Sequence, residues 1–154
     1  MRATTSERTR PLRGTWDDLA RRLTSAMLSL DVYDVVVVGD DPGPRKRRLF
    51  GFGSLPPLPA RRWVSVTAAQ SVLIGEVVGA RSWGGEWDLA PETVDALVKQ
   101  GWEKPWSTDS TTLWREAPLQ SAPRMARSLV RALQTLGCEM ETLQVTRTRE
   151  EPEP

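Results

Sequence analysis

The stretch Arg62–Val78, RWVSVTAAQSVLIGEVV, decides the fold of this chain. In its first half Trp63 and Ser65 alternate with Val64 and Val66, which is the period-two pattern of a strand with two different faces. Small and polar residues interrupt the pattern at 68–71, and apolar residues resume up to the end of the stretch. Two such runs around a short interruption predict a β-hairpin, and therefore an antiparallel sheet.

The segment before this hairpin predicts a helix followed by a buried strand. Thr15 and Asp18 have the spacing of a capping box. The apolar residues that recur at helical spacing over residues 15–30 are Trp16, Leu19, Leu23, Met27 and Leu30. Four consecutive valines within Tyr33–Gly39 favour a strand buried on both faces, because β-branched side chains suit strands. The Gly- and Pro-rich residues 39–44 then predict a chain reversal.

A second helix is predicted from Leu89-Ala90-Pro91-Glu92 onward. Pro91 suits the first helical position, because that residue has no intrahelical use for its N–H. Gly101 ends the helix, since glycine readily takes the left-handed conformation found after a last helical turn. Trp102 is then expected to fold back against Leu97, which gives this tryptophan a structural role.

The last part of the chain predicts a strand over 111–116 and a final amphipathic helix over 119–137. The buried stripe of that helix contains Leu119, Ala122, Met125, Ala126, Leu129, Leu133 and Leu136. Residues 49–52 indicate a further short strand before the hairpin. The elements follow in the order α-β-β-β-α-β-α, and their connections are too short for parallel crossovers. The sequence therefore predicts an α+β fold, an antiparallel sheet of about four to five strands with helices packed on it.

The 154 residues fit one domain. Residues 1–13 and 146–154 are rich in Arg, Glu, Thr and Pro and show no apolar period. Such a composition cannot offset the entropy lost on ordering, so we expect both ends to be disordered tails. The domain itself is predicted to span residues 14–145.

The charge and the inventory of side chains exclude several classes of protein. With 21 basic and 20 acidic residues the net charge is +1, so no global field attracts nucleic acid. The absence of histidine and the single cysteine, Cys138, remove an internal disulfide, the usual zinc sets and the His-dependent nucleophile pairs. No apolar run approaches the roughly 20 residues of a membrane span. We therefore expect a cytoplasmic protein that is not an enzyme, with no cofactor, no metal and no membrane span.

One surface candidate is basic, and its members are Arg45, Lys46, Arg47, Arg48, Arg61 and Arg62. These cations could meet an anionic partner, and Phe50, Phe52 and Trp63 nearby could stack on bases. A four-residue basic turn in a nearly neutral chain is nevertheless a weak electrostatic footprint. A solvated loop is therefore the favoured interpretation, and nucleic acid is the less favoured partner.

Tryptophan is unusually frequent, with seven copies against one Tyr and two Phe. Its ring is large, its N–H is polar, and it is enriched at the hot spots of protein interfaces. Trp16 and Trp102 fall at positions that predict packing in the core. The other five are predicted to contact a partner: Trp63, Trp83, Trp87, Trp106 and Trp114.

Two motifs resemble those of a known superfamily. The strand end Glu76-Val77-Val78, followed by Gly79-Ala80-Arg81, and the element Gly101-Trp102-Glu103-Lys104-Pro105 are similar to motifs of YbjN-like and type III secretion chaperone-like domains. The likeness is greatest to the actinobacterial TY-Chap-type branch and covers about residues 14–137 in element order. Two departures are Ser65-Val66, where related domains often have Gln and an aromatic, and the proline-rich Leu55–Pro59, which looks inserted.

The resemblance implies helices on an antiparallel sheet, a peptide-binding or secretion-associated chaperone, often dimeric, and no catalytic residues. Together with the tryptophans, the resemblance leads us to expect a chaperone or adaptor that binds a client protein or peptide. A homodimer is compatible with this role. Two alternatives stay open. One is a nucleic-acid-associated adaptor that uses residues 45–48, and the other is a structural or immunity subunit of a larger assembly, because a fold does not fix a function.

Overall fold

The computed structural model describes residues 4–8, 14–32, 34–40, 62–78, 89–105 and 112–150. These residues form, in chain order, β1 (Thr4–Arg8), α1 (Trp16–Leu28), β2 (Asp34–Asp40), β3 (Trp63–Ala69), β4 (Val72–Val78), α2 (Pro91–Lys99), β5 (Thr112–Pro118), α3 (Ala122–Thr135) and β6 (Leu143–Glu150). Short 3-10 turns at Leu119–Ser121 and Met140–Thr142 precede α3 and β6. The predicted α+β architecture is confirmed.

The strands form one antiparallel sheet in the order β1-β6-β2-β3-β4-β5. The predicted hairpin is β3–β4, in which Val64 lies opposite Val77 and Ala69 lies opposite Val72. Only two residues remain for its turn, and the first of them, Gln70, has a φ of 55°. A left-handed residue in a two-residue loop matches the right-handed twist of the strands it joins.

The hydrophobic core lies between one face of the sheet and the helices. Helix α3 packs on β3, β4 and β5, and both α1 and α2 pack against α3. The strands contribute Val36, Val38, Val64, Val66, Leu73, Val77 and Leu113, and the helices contribute Leu19, Leu23, Met27, Leu97, Met125, Leu129 and Leu133. Gly75 permits a close approach of the helices, since a Cβ there would lie 2.9 Å from the Met125 sulfur and 3.2 Å from the Trp102 ring.

The predicted capping box begins α1. The Thr15 N–H donates to Asp18 Oδ2 at 2.8 Å, and the Asp18 N–H donates to Thr15 Oγ1 at 3.2 Å. Both hydrogen bonds satisfy N–H groups that the first helical turn leaves unpaired. The helix ends at Leu28, two residues earlier than predicted, and Ser29 caps it.

The predicted end of α2 is also confirmed. Gly101 has a φ of 104° and donates its N–H to the Val98 carbonyl at 3.0 Å. The Trp102 N–H donates to the Leu97 carbonyl at 3.1 Å, which completes a Schellman motif. The ring of Trp102 is 2% exposed, so this tryptophan is core. The same pattern ends α3, where Gly137 has a φ of 82°.

The predicted limits of the disordered tails need correction. Thr4–Arg8 pairs with β6 as an edge strand, and β6 pairs with β2 over Leu143–Arg149 before ending at Glu150, five residues past the predicted domain boundary at 145. The apolar period fails there because Arg147 and Arg149 occupy the helix-facing positions, and both pair with buried Asp34 instead of packing as aliphatic side chains. Residues 151–154 and the strand predicted at 49–52 lie outside the described residues.

Candidate functional site

The face of the sheet opposite α3, which we call the outer face, gathers side chains from β2, β3, β4, β5 and β6. Along β2, β3 and β4 these side chains alternate with those that face the core, although Ser65 on the outer face is itself only 4% exposed. The outer face includes Val35, Val37, Trp63, Ser65, Thr67, Val72, Ile74, Glu76, Thr112, Trp114 and Glu116 of β2 to β5, and Gln144 and Thr146 of β6. Cross-strand pairing places Val37, Ser65, Glu76 and Trp114 in one row across it.

Two of the five tryptophans predicted to contact a partner, Trp63 and Trp114, lie on this outer face. Trp63 begins β3 opposite Gly39, where an added Cβ would lie 2.7 Å from the Cβ of Trp63, so glycine permits the close approach. Trp114 lies opposite Glu76, and its backbone also pairs with Glu103 through hydrogen bonds of 2.8 and 3.1 Å. Both tryptophans are half-buried, so part of each side chain is accessible to a partner.

The indole N–H of Trp114 is buried and has no hydrogen-bond acceptor among the described residues. The indole N–H of Trp102, inside the core, is also buried without an acceptor among the described residues. Because the property is shared by a tryptophan that cannot meet a partner, an unsatisfied indole does not by itself mark a binding site. The position of Trp114 on the outer face is the stronger observation.

The two tryptophans predicted to be core residues have different surroundings. The Trp102 ring is covered by the Arg115 guanidinium, 5.6 Å from the ring centroid. Arg115 also donates to Ser128 Oγ at 3.1 Å and to the Gln100 carbonyl at 3.3 Å, which ties β5 to α3 and α2. Trp16 is half-buried and packs at the margin of the core.

The other tryptophans predicted to contact a partner, Trp83, Trp87 and Trp106, lie outside the described residues. Chain connectivity nevertheless constrains where their segments begin. Residues 79–88 follow the end of β4, residues 106–111 precede β5, and Val78 pairs with Thr112. Trp63 begins β3 at the same end of the sheet, so all of these segments start there. Contact of these three tryptophans with a partner stays a prediction.

Of the residues predicted to meet an anionic partner, Arg62 is described, whereas Arg61 and the basic segment 45–48 lie outside the described residues. The Arg62 Nε donates to Asp40 Oδ2 at 2.6 Å. Its Nη1 donates to the Gly137 carbonyl at 2.9 Å, at the C-terminal end of α3. A cation at this position interacts favourably with the helix dipole. Arg62 therefore has an internal structural role, and its contact with an anion stays a prediction.

The strongest electrostatic feature was missed from the sequence. Asp34 is 1% exposed at its side chain and accepts from Arg147 Nη2 and Arg149 Nε, both at 2.6 Å. The Asp31 N–H also donates to it at 3.0 Å. The hydrogen bonds from Arg149, with further ones from Arg147, hold the pKa of Asp34 well below its usual range despite burial. Arg147 additionally donates to the Ser29 carbonyl at 2.9 Å.

A signal for this cluster was present in the sequence. Leu143, Val145, Arg147 and Arg149 alternate with polar residues, which is a strand period in which two arginines replace apolar residues. Such a pattern is compatible with an acidic partner for the two arginines. Asp34 is distant in the sequence, and only the pairing of β6 with β2 places it opposite Arg149.

The lone cysteine offers no reactive group at neutral pH. Burial, together with the nearby Asp40 carboxylate, raises the pKa of the Cys138 thiol to about 12. The thiolate is the nucleophilic form, so the buried thiol is inert. Within the described part of the chain, no cluster of three or more His, Cys, Asp or Glu side chains could hold a metal ion.

No helix among the described residues is long and apolar enough to cross a membrane. A family model described as "T3SS (YopN, CesT) and YbjN peptide-binding chaperone 3" matches residues 9–147. The matched range contains the three helices, β2 to β5 and most of β6, whereas β1 precedes it. Searches of curated proteins and of solved structures found no match.

Proposed function

The chain belongs to this family of peptide-binding chaperones of the secretion-chaperone type, and we propose that it holds a segment of a client protein on the outer face of its sheet. The observation that carries the proposal is the placement of two half-buried tryptophans, Trp63 and Trp114, on the face opposite α3. Aromatic anchors of this kind dominate the energetics of protein interfaces.

The aliphatic side chains of the outer face support the same surface. Val35, Val37 and Ile74 are half-buried although their strand neighbours are fully enclosed in the core. The helix-facing side of the sheet cannot accept a client, because Leu73 and Val77 are 0% exposed beneath the helices. On the sheet itself, the apolar surface that a client segment can cover therefore lies on the outer face.

Several finer statements belong to the same proposal. The segments that carry Trp83, Trp87 and Trp106 leave the sheet at the end where Trp63 lies, so we assign these three to the client surface as well. We further propose that the protein works in the cytoplasm, that it forms a homodimer, and that its client is linked to secretion. The family supports the chaperone role, and the client itself is to be identified by co-purification with mass spectrometry.

The test uses the client so identified, in purified form, with the double variant Trp63→Ala/Trp114→Ala. We expect its affinity for the client to fall by at least about 30-fold, as for hot-spot residues that each contribute strongly. The single variant Trp16→Ala is the matched control, since it removes a tryptophan at the core margin beside the helices. Circular dichroism checks that all variants are folded. A folded double variant with wild-type affinity would exclude the outer face as the client site.

A second double variant, Trp83→Ala/Trp87→Ala, tests the finer assignment separately. We expect a loss of client affinity without a change in the thermal unfolding midpoint. If this variant is folded and captures the client as well as the wild type, these two tryptophans are not contacts, and the assignment of Trp63 and Trp114 is unaffected.

A further inference from the structure

The outer face carries two carboxylates that alternate with apolar side chains. Glu76 on β4 is half-buried and lies opposite Trp114 on β5. Glu116 is exposed and lies opposite Ile74. In this block of four residues the carboxylates occupy one diagonal and the apolar side chains occupy the other. Diagonal neighbours on a sheet are about 7–8 Å apart, so long side chains can bridge them.

The described residues do not neutralise this pair. Glu76 accepts a hydrogen bond of 3.4 Å from Thr112 Oγ1, and none of the ion pairs formed within the described residues includes Glu76 or Glu116. The carboxylates of the helix-facing side differ, because Asp34 and Asp40 are paired with arginines. The outer face therefore presents negative charge directly beside a tryptophan and an isoleucine.

Helix α3, which packs on the opposite face of the sheet, carries the opposite charge. Helix α3 exposes Arg124, Arg127 and Arg131 on its solvent side and contains no acidic residue. An acidic segment would be drawn to this helix, whereas a basic segment would be repelled from it and attracted to the outer face. Charge complementarity thus favours a basic partner for the outer face and disfavours it for α3.

We infer that the outer face selects a basic amphipathic client segment, one that presents Lys or Arg side chains beside apolar ones; this rests on the proposed function. A cation placed between Glu76 and Trp114 gains an ion pair and a cation–π contact together. An apolar neighbour of that cation covers Ile74. Strand β4 is already paired with β3 and β5, so the segment binds through its side chains and does not add a strand there.

The test compares two labelled synthetic peptides by fluorescence anisotropy with the full chain. Each peptide is an amphipathic helix of about 15 residues. The lysine peptide carries lysines on its polar face, and the second peptide has glutamates at the same positions and is otherwise identical. We expect the lysine peptide to bind at least about tenfold more tightly at low salt, and the preference to shrink as salt screens the charges. In the variant Glu76→Gln/Glu116→Gln we expect the lysine peptide to lose about threefold to fivefold in affinity per carboxylate.

The matched control is Glu139→Gln/Glu141→Gln, which changes the net charge equally at two exposed positions of the connection between α3 and β6. This control should keep the wild-type preference. If the carboxylate variant also keeps it, while Trp63→Ala/Trp114→Ala releases the peptide, the charge selection is wrong and the proposed function stands. If the tryptophan variant binds the lysine peptide like the wild type, the proposed function itself fails.

Two other occupants would each overturn the inference. If Glu76→Gln/Glu116→Gln converts a dimer into a monomer in sedimentation experiments, the outer face binds a second copy of the chain. If the lysine peptide binds only after residues 45–48 are changed to serine, the basic segment of the chain itself occupies the face.

Discussion

The substitution Asp34→Ala should release the C-terminal strand from the rest of the sheet. It removes the acceptor for Arg147 Nη2 at 2.6 Å, for Arg149 Nε at 2.6 Å and Nη2 at 3.2 Å, and for the Asp31 N–H at 3.0 Å. These bonds hold the part of β6 that lacks apolar residues. We therefore expect this variant to weaken the end of β6 first.

The size of the effect follows from the exposure of the groups left behind. Breaking a fully buried ion pair by removing one partner costs about 3–5 kcal/mol. Here Arg147 and Arg149 are 36% and 43% exposed, so water can solvate them, and each keeps another acceptor in Ser29 or Asp31. We expect a loss of about 2–3 kcal/mol in the free energy of unfolding.

Urea unfolding followed by tryptophan fluorescence measures this loss. The matched control is Asp31→Ala, which removes a carboxylate that is 71% exposed and should cost less than about 1 kcal/mol. Hydrogen exchange of the amides after Val145 should accelerate in the Asp34 variant alone. Equal destabilisation by the two variants would show that the burial of Asp34 does not increase the contribution of its ion pairs to stability.

The pH dependence gives an independent check with Asp34→Asn. Above the ordinary carboxyl pKa of 3.8, Asp34 is ionised in both the folded and the unfolded state, so its contribution to stability is complete. As the pH falls below that value, the Asp34 carboxylate becomes protonated in the unfolded state while it stays ionised in the native state. The stability gap between wild type and variant should therefore narrow towards acid, and a gap that stays constant there would contradict the lowered pKa of Asp34.

Three further predictions concern two glycines next to the core and the buried cysteine. In Gly75→Ala the new Cβ would lie 2.9 Å from the Met125 sulfur and 3.2 Å from the Trp102 ring, so we expect a loss of about 1–3 kcal/mol in urea unfolding. Gly101→Ala forces alanine to a φ of 104°, and we expect a lower melting temperature equivalent to about 1–2 kcal/mol. Cys138, whose pKa is raised to about 12 by burial, should react with a thiol reagent at pH 8 no faster than the protein unfolds. Rapid labelling of the native protein would show that this thiol is not enclosed.

The local elements were predictable because their signals lie within a few residues of each other. The hairpin over 62–78, the capping box of Thr15 and Asp18, and the Schellman motif at Gly101 all depend on contacts between residues close in the chain. The family resemblance stated from short motifs is confirmed by the match over residues 9–147. These parts needed no knowledge of how distant segments meet.

The candidate site was predictable in its residue type and not in its arrangement. Tryptophan frequency indicated a contact surface, but Trp63 and Trp114 are far apart in the chain, and the pairing of β3, β4 and β5 brings them to one face. The same pairing places Glu76 opposite Trp114. Arg62 was interpreted as a surface cation because its partners, Asp40 and the end of α3, come from other elements.

The sequence by itself determined the helices, the central hairpin, the core tryptophan Trp102 and the family. The tertiary structure alone decided what stabilises the arginines of β6, because their partner Asp34 comes from a remote element. It also decided which side chains share the outer face. The physical reason is the same in both cases. The periodicity of apolar residues in the sequence indicates which side chains become buried. Charge pairing and strand register depend instead on neighbours that only folding brings into contact.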